Sequence, residues 1–275
     1  MESGRQRKKF LLIELLIVMA IFPLPEAVSA VISAVRHLTL GGTQTSFLIL
    51  TVPHHYAASL ILGLISTLLP FGAVFLVFYL LYMEGPGVSG IGLDIHRLRH
   101  DLSRLLPIFL VAYILPLIGT TLLLPGNMFA GFPVKSMHGD ALYLPILITA
   151  SVVTAVAEEV IVLGYLIRRL EQLGLGAGWV IAIDTLVRVS YHLYYGPGAI
   201  EIAVWGAASA ALYMRYRRLG PFIVVHALWD ATLFVIDVRA GAVIPIELVV
   251  LSVLAAAFWA KWHRLAEPLH SGSVG

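Results

Sequence analysis

Cysteine is absent from the 275 residues. No disulfide framework, thiolate nucleophile or Cys-ligated zinc site is therefore available, and any nucleophile has to be an oxygen or an activated water. Charge is scarce as well: 12% of the residues are charged, 59% are hydrophobic and the mean hydropathy is +0.92. A domain with a fully solvated surface does not carry so few charges, so the chain reads as a membrane protein. The His-Glu-x-x-His zinc signature, internal repeats and the paired broken helices of many transporters are also missing, and the only low-complexity stretch is the short tail 271–275.

What is there is a series of apolar runs, most of them long enough to cross a hydrocarbon layer of about 30 Å, the fifth, sixth and seventh being short. Eight are expected, near 10–35, 57–83, 105–124, 141–167, 179–194, 199–214, 222–236 and 244–262. Turn signals separate them at Gly85-Pro86-Gly87, Pro125-Gly126, Gly196-Pro197-Gly198 and Gly220-Pro221. The basic residues at the amino end precede the first run, and no convincing cleavage site follows, so the first span is expected to be retained. Placing both termini in the cytoplasm puts 14 of the 18 lysines and arginines on that side, among them Lys8, Arg104, Arg168, Arg169, Arg217 and Arg218. That bias fits the positive-inside rule. The expected fold is all-α, a polytopic helical membrane protein of about eight spans in a cell membrane. Three parts are expected: residues 1–140 with spans one to three and the cytoplasmic loop 84–104, a core at 141–240 with spans four to seven, and 241–275 with the last span and a polar tail. Within the loop, 90–103 interleaves apolar and charged residues, as an interfacial amphipathic segment or an ordinary basic loop would.

The chain's most informative stretch is Ala157-Glu158-Glu159-Val160, two carboxylates inside an apolar run. A charge at bilayer depth costs roughly 2.5–3.5 kcal/mol or more, which makes it a functional hypothesis by default. Glu158 and Glu159 differ by about 100° of helical rotation, so one can face a cavity while the other meets a neighbouring helix. On span five, Asp184, Arg188 and His192 recur at i, i+4 and i+8; on span seven, His226 and Asp230 are i, i+4 neighbours. Lipid offers such stripes no partner, so the three should face one another. The pair Asp184 and Arg188 reads as structural and electrostatic. Tyr191, Tyr194 and Tyr195 read as part of an interfacial aromatic belt, and Glu14, Glu26 and Glu201 as solvated or interfacial acids near span ends.

Two hydrolytic chemistries fit this set. In one, a glutamate acts as general base on water while the histidines and Asp230 hold the water or the developing oxyanion. In the other, Glu158, His192 and His226 bind Zn²⁺, whose bound water attacks. Structural ion pairing in a non-catalytic scaffold or immunity protein and a proton relay in a transporter are the competing readings.

In these residues the chain resembles the family of CAAX-protease and bacteriocin-processing membrane proteins, which includes the Ras-converting CAAX endoprotease. The family's Glu-Glu-x-x-x-Arg, Phe-x-x-x-His and His-x-x-x-Asn/Asp motifs correspond to Glu158-Glu159-Val-Ile-Val-Leu163, Arg188-Val-Ser-Tyr-His192 and His226-Ala-Leu-Trp-Asp230. Order and spacing agree over about 85 residues, 151–234. The resemblance implies an intramembrane endopeptidase of the bacterial branch, in a bacterial plasma membrane. Glu158 would be the base, His192 would hold the water, and His226 with Asp230 would stabilise the oxyanion; Glu159 belongs to the same catalytic set. The implied partners are membrane lipid and a membrane-associated or lipid-modified peptide or protein, with no nucleic acid. No cofactor is required if a glutamate activates the water, and Zn²⁺ is the alternative. Two positions depart from the pattern, Leu163 for Arg and Arg188 for Phe. A cation moved from one helix to the next would explain both, Arg188 then neutralising Glu159 or Asp184.

Overall fold

The computed structural model describes residues 2–40, 68–94, 98–123 and 144–238, together with Ile61 and Ile65. Within them every regular element is helical, as expected from composition. The eighth expected span, most of the first part of the second (57–67) and the bridge 95–97 lie outside the described residues.

The first expected span is two helices. Helix α1 (Glu2–Ile21) and helix α2 (Pro23–Leu40) meet at an angle of 45°. Pro23 and Pro25 carry no backbone N–H, which is tolerated in the first turn of a helix and disruptive inside one. The chain therefore stops one helix at Phe22, whose N–H closes onto the Val18 carbonyl, and starts another.

Helix α3 (Phe71–Met83) runs into the tight turn 84–92, which contains a 3₁₀ stretch, Gly87–Ile91. Helix α4 covers 98–123 and passes through a π-helical stretch, Phe109–Ile114. Helix α5 covers 144–173, with a second π-helical stretch at Glu159–Leu166. Helices α6 (Ala177–Tyr191) and α7 (Ala199–Tyr216) form a hairpin through the 3₁₀ turn Leu193–Gly198, and α8 (Gly220–Val238) follows. Among the described residues two helical stretches, 101–119 and 148–173, are long and apolar enough to cross a membrane, and α1 with α2 is a third if the bent pair counts as one span.

Helix α5 is the axis of the bundle, and most of its 148–173 stretch is buried. Helix α8 packs along its first half, α6, α7 and α3 along its π-helical middle, and α1 against its end. Gly164 makes this closeness workable, since a Cβ there would stand 3.2 Å from both Ile91 and Leu219. Large apolar side chains instead face outward on α1 to α4, including Phe10, Leu16, Ile32, Phe75, Leu115 and Leu122. A soluble surface does not carry so broad an apolar exterior, and lipid is the solvent that suits it.

At the end of the bundle where the positive-inside rule puts the cytoplasm, the arginines expected in solvated loops are stitched inward. Arg168 donates to Glu84 and to the Gly90 carbonyl. Arg169, 1% exposed, pairs with Glu14 at 3.0 Å and Glu84 at 3.1 Å. Arg218 grips Asp94 and Asp101, Arg217 pairs with Glu171, and Lys8 donates to the Leu173 carbonyl. Glu14 is thus an ion-pair partner as well as an interfacial acid, and Asp94 and Asp101 belong to a clamp rather than the polar face of an amphipathic loop. The turn 84–92 is held by the same region: Leu219 N–H donates to the Gly92 carbonyl and Tyr213 Oη–H to the Ile91 carbonyl.

Two outcomes follow. Gly92 has φ +73°, and a Cβ there would lie 2.1 Å from the Arg217 carbonyl oxygen. Gly92→Ala therefore pays for both strain and backbone overlap, of order 3 kcal/mol or more; a melting curve in detergent should show a large loss, and an unchanged melt contradicts the packing. Burial alone would raise the Glu84 carboxyl, but Arg169, Gln172 and Arg168 outweigh it and hold it below its ordinary 4.5. A depressed carboxyl stabilises the fold above its unfolded value and loses that contribution as pH falls through the folded one. Stability should therefore decline on acidification below about pH 4.5, and Glu84→Gln should flatten that decline while costing roughly 1–3 kcal/mol at neutral pH.

Candidate active site

The two glutamates sit where α5 changes character. Glu158 ends its α-helical first half and Glu159 begins the π-helical stretch; such widened turns recur at functional sites. Their side chains part as the helical rotation predicts. Glu159, 1% exposed, accepts hydrogen bonds from Arg188 Nη2–H at 3.0 Å, from Nη1–H at 3.3 Å, and from His226 Nδ1–H at 2.7 Å. Glu158 accepts one, from the Tyr191 hydroxyl at 2.9 Å, with Arg188 Nη1 further away at 4.0 Å.

Arg188 is the hub. It is wholly buried, and besides Glu159 it donates through Nε–H to Asp184 at 3.3 Å. Its guanidinium carbon lies over the Trp205 indole, 4.7 Å from the ring centre, a favourable place for a desolvated cation. Gly206 on α7 makes room, since a Cβ there would stand 3.1 Å from Arg188 Cδ. The proposed shift of a cation between helices thus has its geometric counterpart: Arg188 on α6 neutralises both Glu159 and Asp184, and Leu163 is buried among apolar neighbours.

His192 closes α6. Its Nδ1–H donates to the Arg188 carbonyl at 2.8 Å, which in the neutral ring leaves the Nε2 lone pair free. Tyr191, Tyr194, Tyr195 and Trp205 surround the ring at centroid distances of 4.6, 5.8, 5.9 and 6.3 Å. His226, on the second turn of α8, meets the other side of Trp205 at 5.2 Å. Its Nε2 lies 3.5 Å from Asp230 Oδ2, so each of its ring nitrogens faces a carboxylate.

All seven residues singled out in the sequence therefore meet: Glu158 and Glu159 from α5, Asp184, Arg188 and His192 from α6, and His226 and Asp230 from α8. Counting residues along upright helices would set the two histidines about 15 Å apart in depth; contact of both with one indole shows that α6 and α8 do not run upright from a common level. Tyr191 is a correction to the aromatic-belt reading, because it is buried and bound to Glu158 rather than placed at the lipid interface. Tyr194 and Tyr195 likewise line the surroundings of His192. Trp205 was not among the expected site residues, and an aromatic residue at bilayer depth carries no local signal that would have marked it. Among the described residues no three His, Asp or Glu side chains form a metal-ligand group, and the set Glu158, His192, His226 is engaged in the hydrogen bonds just given. A cavity of about 1100 Å³ opens between α3, the turn 84–92, α4 and the start of α8, lined by Tyr79, Leu105 and Val224 and by the clamp residues Asp94 and Asp101; no member of the cluster lines it.

Arg188→Phe leaves Glu159 and Asp184 buried with a cation removed, which should cost about 3–5 kcal/mol. Leu163→Arg on that background restores a cation on α5, and a melting curve in detergent should recover part of the loss. No recovery contradicts the relocated-cation account.

No curated protein and no solved structure matches the chain. A family model described as "Type II CAAX prenyl endopeptidase Rce1-like" matches residues 140–232, a segment that holds all seven members of the cluster. The matched third of the chain is thus similar to the Rce1-like family of membrane proteases.

Proposed function

We propose that the protein is an intramembrane endopeptidase of the cell membrane, hydrolysing a peptide bond of a membrane-associated or lipid-modified protein with water activated by Glu158. One observation carries this reading: of the two adjacent acids, Glu159 is held by Arg188 and His226 through three hydrogen bonds, whereas Glu158 has one hydrogen bond, from Tyr191, and a single ion-pair contact with Arg188 at 4.0 Å. A base has to keep an oxygen available for the proton it takes. Tyr191 occupies Oε2 of Glu158 and leaves Oε1 to a water.

In this reading Glu158 removes a proton from the water as its oxygen bonds the carbonyl carbon, and the C=O electron pair moves onto oxygen. The Nε2 lone pair of His192 accepts the water's second hydrogen and aims its attack. His226 presents its Nε2–H to the oxyanion, the longer of its two carboxylate contacts being the one to give way. Asp230 keeps that nitrogen turned inward. Glu158 then returns its proton to the departing amine. Arg188, with Glu159 and Asp184, fixes α5 against α6 so that base and imidazoles keep their spacing.

The test is cleavage of an internally quenched, farnesylated CAAX peptide by purified protein in detergent, before and after chelation. Glu158→Gln keeps an acceptor for Tyr191 and should fold as the parent does, yet lose roughly 10²–10⁴-fold in kcat. Activity that survives chelation supports carboxylate-activated water. A Glu158→Gln variant as active as the parent contradicts the reading.

A further inference from the structure

Two imidazoles that steer a water and an oxyanion must keep fixed directions, and their hydrogen bonds leave part of that freedom. His192 is anchored at one atom, Nδ1 on the Arg188 carbonyl, so its ring can still tip about that bond. His226 is held at Nδ1 by Glu159 at 2.7 Å, but its Nε2 contact with Asp230 is long, 3.5 Å. The tilt of a ring is fixed by packing against its faces and edges.

One side chain packs on both. The Trp205 indole of α7 lies 6.3 Å from the His192 ring at 78° and 5.2 Å from the His226 ring at 76°, edge-to-face arrangements that hold a ring at a defined angle. The Arg188 guanidinium carbon stands over the same indole at 4.7 Å. Trp205 is 7% exposed and so has no room to swing away.

The indole is held in turn from a helix outside the segment 140–232. Tyr113, 6% exposed, falls in the π-helical stretch Phe109–Ile114 of α4 and meets Trp205 at 5.6 Å. Its ring also meets Trp229, the neighbour of Asp230, at 5.3 Å. Phe109 packs on both Tyr113 and Trp229 at 6.3 Å. Pro107 and Pro116, each without a backbone N–H, bracket the stretch. Widened helical turns are rare and are frequent at functional sites. Both of those among the described residues, this one and Glu159–Leu166, border the same cluster.

Resting on the peptidase reading, we propose that Trp205 is a positioning residue for the two histidines and that α4 sets it through the ring of Tyr113. The indole holds the His192 and His226 rings at the spacing and tilt that attack on the carbonyl requires. Tyr113 keeps the indole between them, which makes α4 a working part of the site rather than a neighbouring span. Neither aromatic residue exchanges a proton.

The experiment compares the parent, Glu158→Gln, Trp205→Phe, Tyr113→Leu, Tyr113→Phe and the pair Tyr113→Leu with Trp205→Phe on the quenched farnesylated peptide. Each is assayed at a temperature where its melting curve shows it folded. Misplacing a reacting group by about 1 Å can cost about 10²-fold. Trp205→Phe and Tyr113→Leu should each lower kcat by about tenfold or more with KM changed less than about twofold. Tyr113→Phe, which restores the ring, should recover all but about threefold. Because Tyr113 acts through the indole, the pair should lose no more than about twofold beyond Trp205→Phe alone. If Tyr113→Leu does not fold, pentafluorophenylalanine at 113 keeps the ring's shape and inverts its quadrupole. It should then lower kcat below that of Tyr113→Phe, and the same replacement at the exposed Phe75 should not change kcat.

With an active parent and an inactive Glu158→Gln, four results overturn this assignment alone. They are an unimpaired Trp205→Phe, Tyr113→Leu or fluorinated ring at 113; a loss confined to melting temperature or KM, which is packing only; Tyr113→Phe as slow as Tyr113→Leu, which makes the hydroxyl the actor; and losses in the pair that multiply in full. A folded parent that leaves the peptide intact, or a Glu158→Gln variant as active as the parent, overturns the peptidase reading and this proposal with it.

Discussion

A single guanidinium with no access to water holds the interior of this protein together. Arg188 spans Glu159 on α5 and Asp184 on its own helix, with the Trp205 face beneath it. Removing charges from water is expensive, and in a buried cluster the cost is repaid only if geometry and hydrogen bonds are nearly complete. Here the cation has two carboxylates and an indole, and Glu159 is completed by His226. The consequence is positional. Three helices that apolar contacts alone would let slide past one another are fixed by groups that have nowhere else to go.

That constraint divides the labour of the two glutamates. Adjacent acids on a helix face different neighbours, and the π-helical start at Glu159 makes the change of surroundings abrupt. One acid is taken up by the ion pair, which leaves the other with a tyrosine and a longer contact to the same cation. Different surroundings of like groups are how one acid can serve an ion pair while its neighbour stays available for other chemistry. The histidines follow the same logic. His192 is oriented by a backbone carbonyl and His226 by carboxylates, and a tryptophan stands between them.

Much of this was legible before any coordinates. The adjacency of Glu158 and Glu159, the i, i+4, i+8 stripe of Asp184, Arg188 and His192, and the pair His226 and Asp230 are costly in lipid, and cost predicts convergence. The missing arginine at Leu163 and the extra one at Arg188 pointed to a moved cation. Other features carried no such mark. Tyr191 and Trp205 look like any membrane aromatic until a partner is known, and the interface arginines look solvated until Glu84, Asp94 and Asp101 are brought to them from distant parts of the chain. The π-helical stretch of α5 has no compositional signature. The break at Phe22, by contrast, was written in Pro23 and Pro25 and was overridden by the length of the apolar run.

The most direct measurement of the central claim is a double-mutant cycle between Arg188 and Glu159, using Arg188→Met, Glu159→Gln and the pair, each read by reversible unfolding in detergent. If the buried ion pair ties α5 to α6, the two losses are strongly non-additive, with a coupling above about 1 kcal/mol. Losses that simply add would mean that the two side chains do not share an interaction, and the arrangement of the site described above would be wrong.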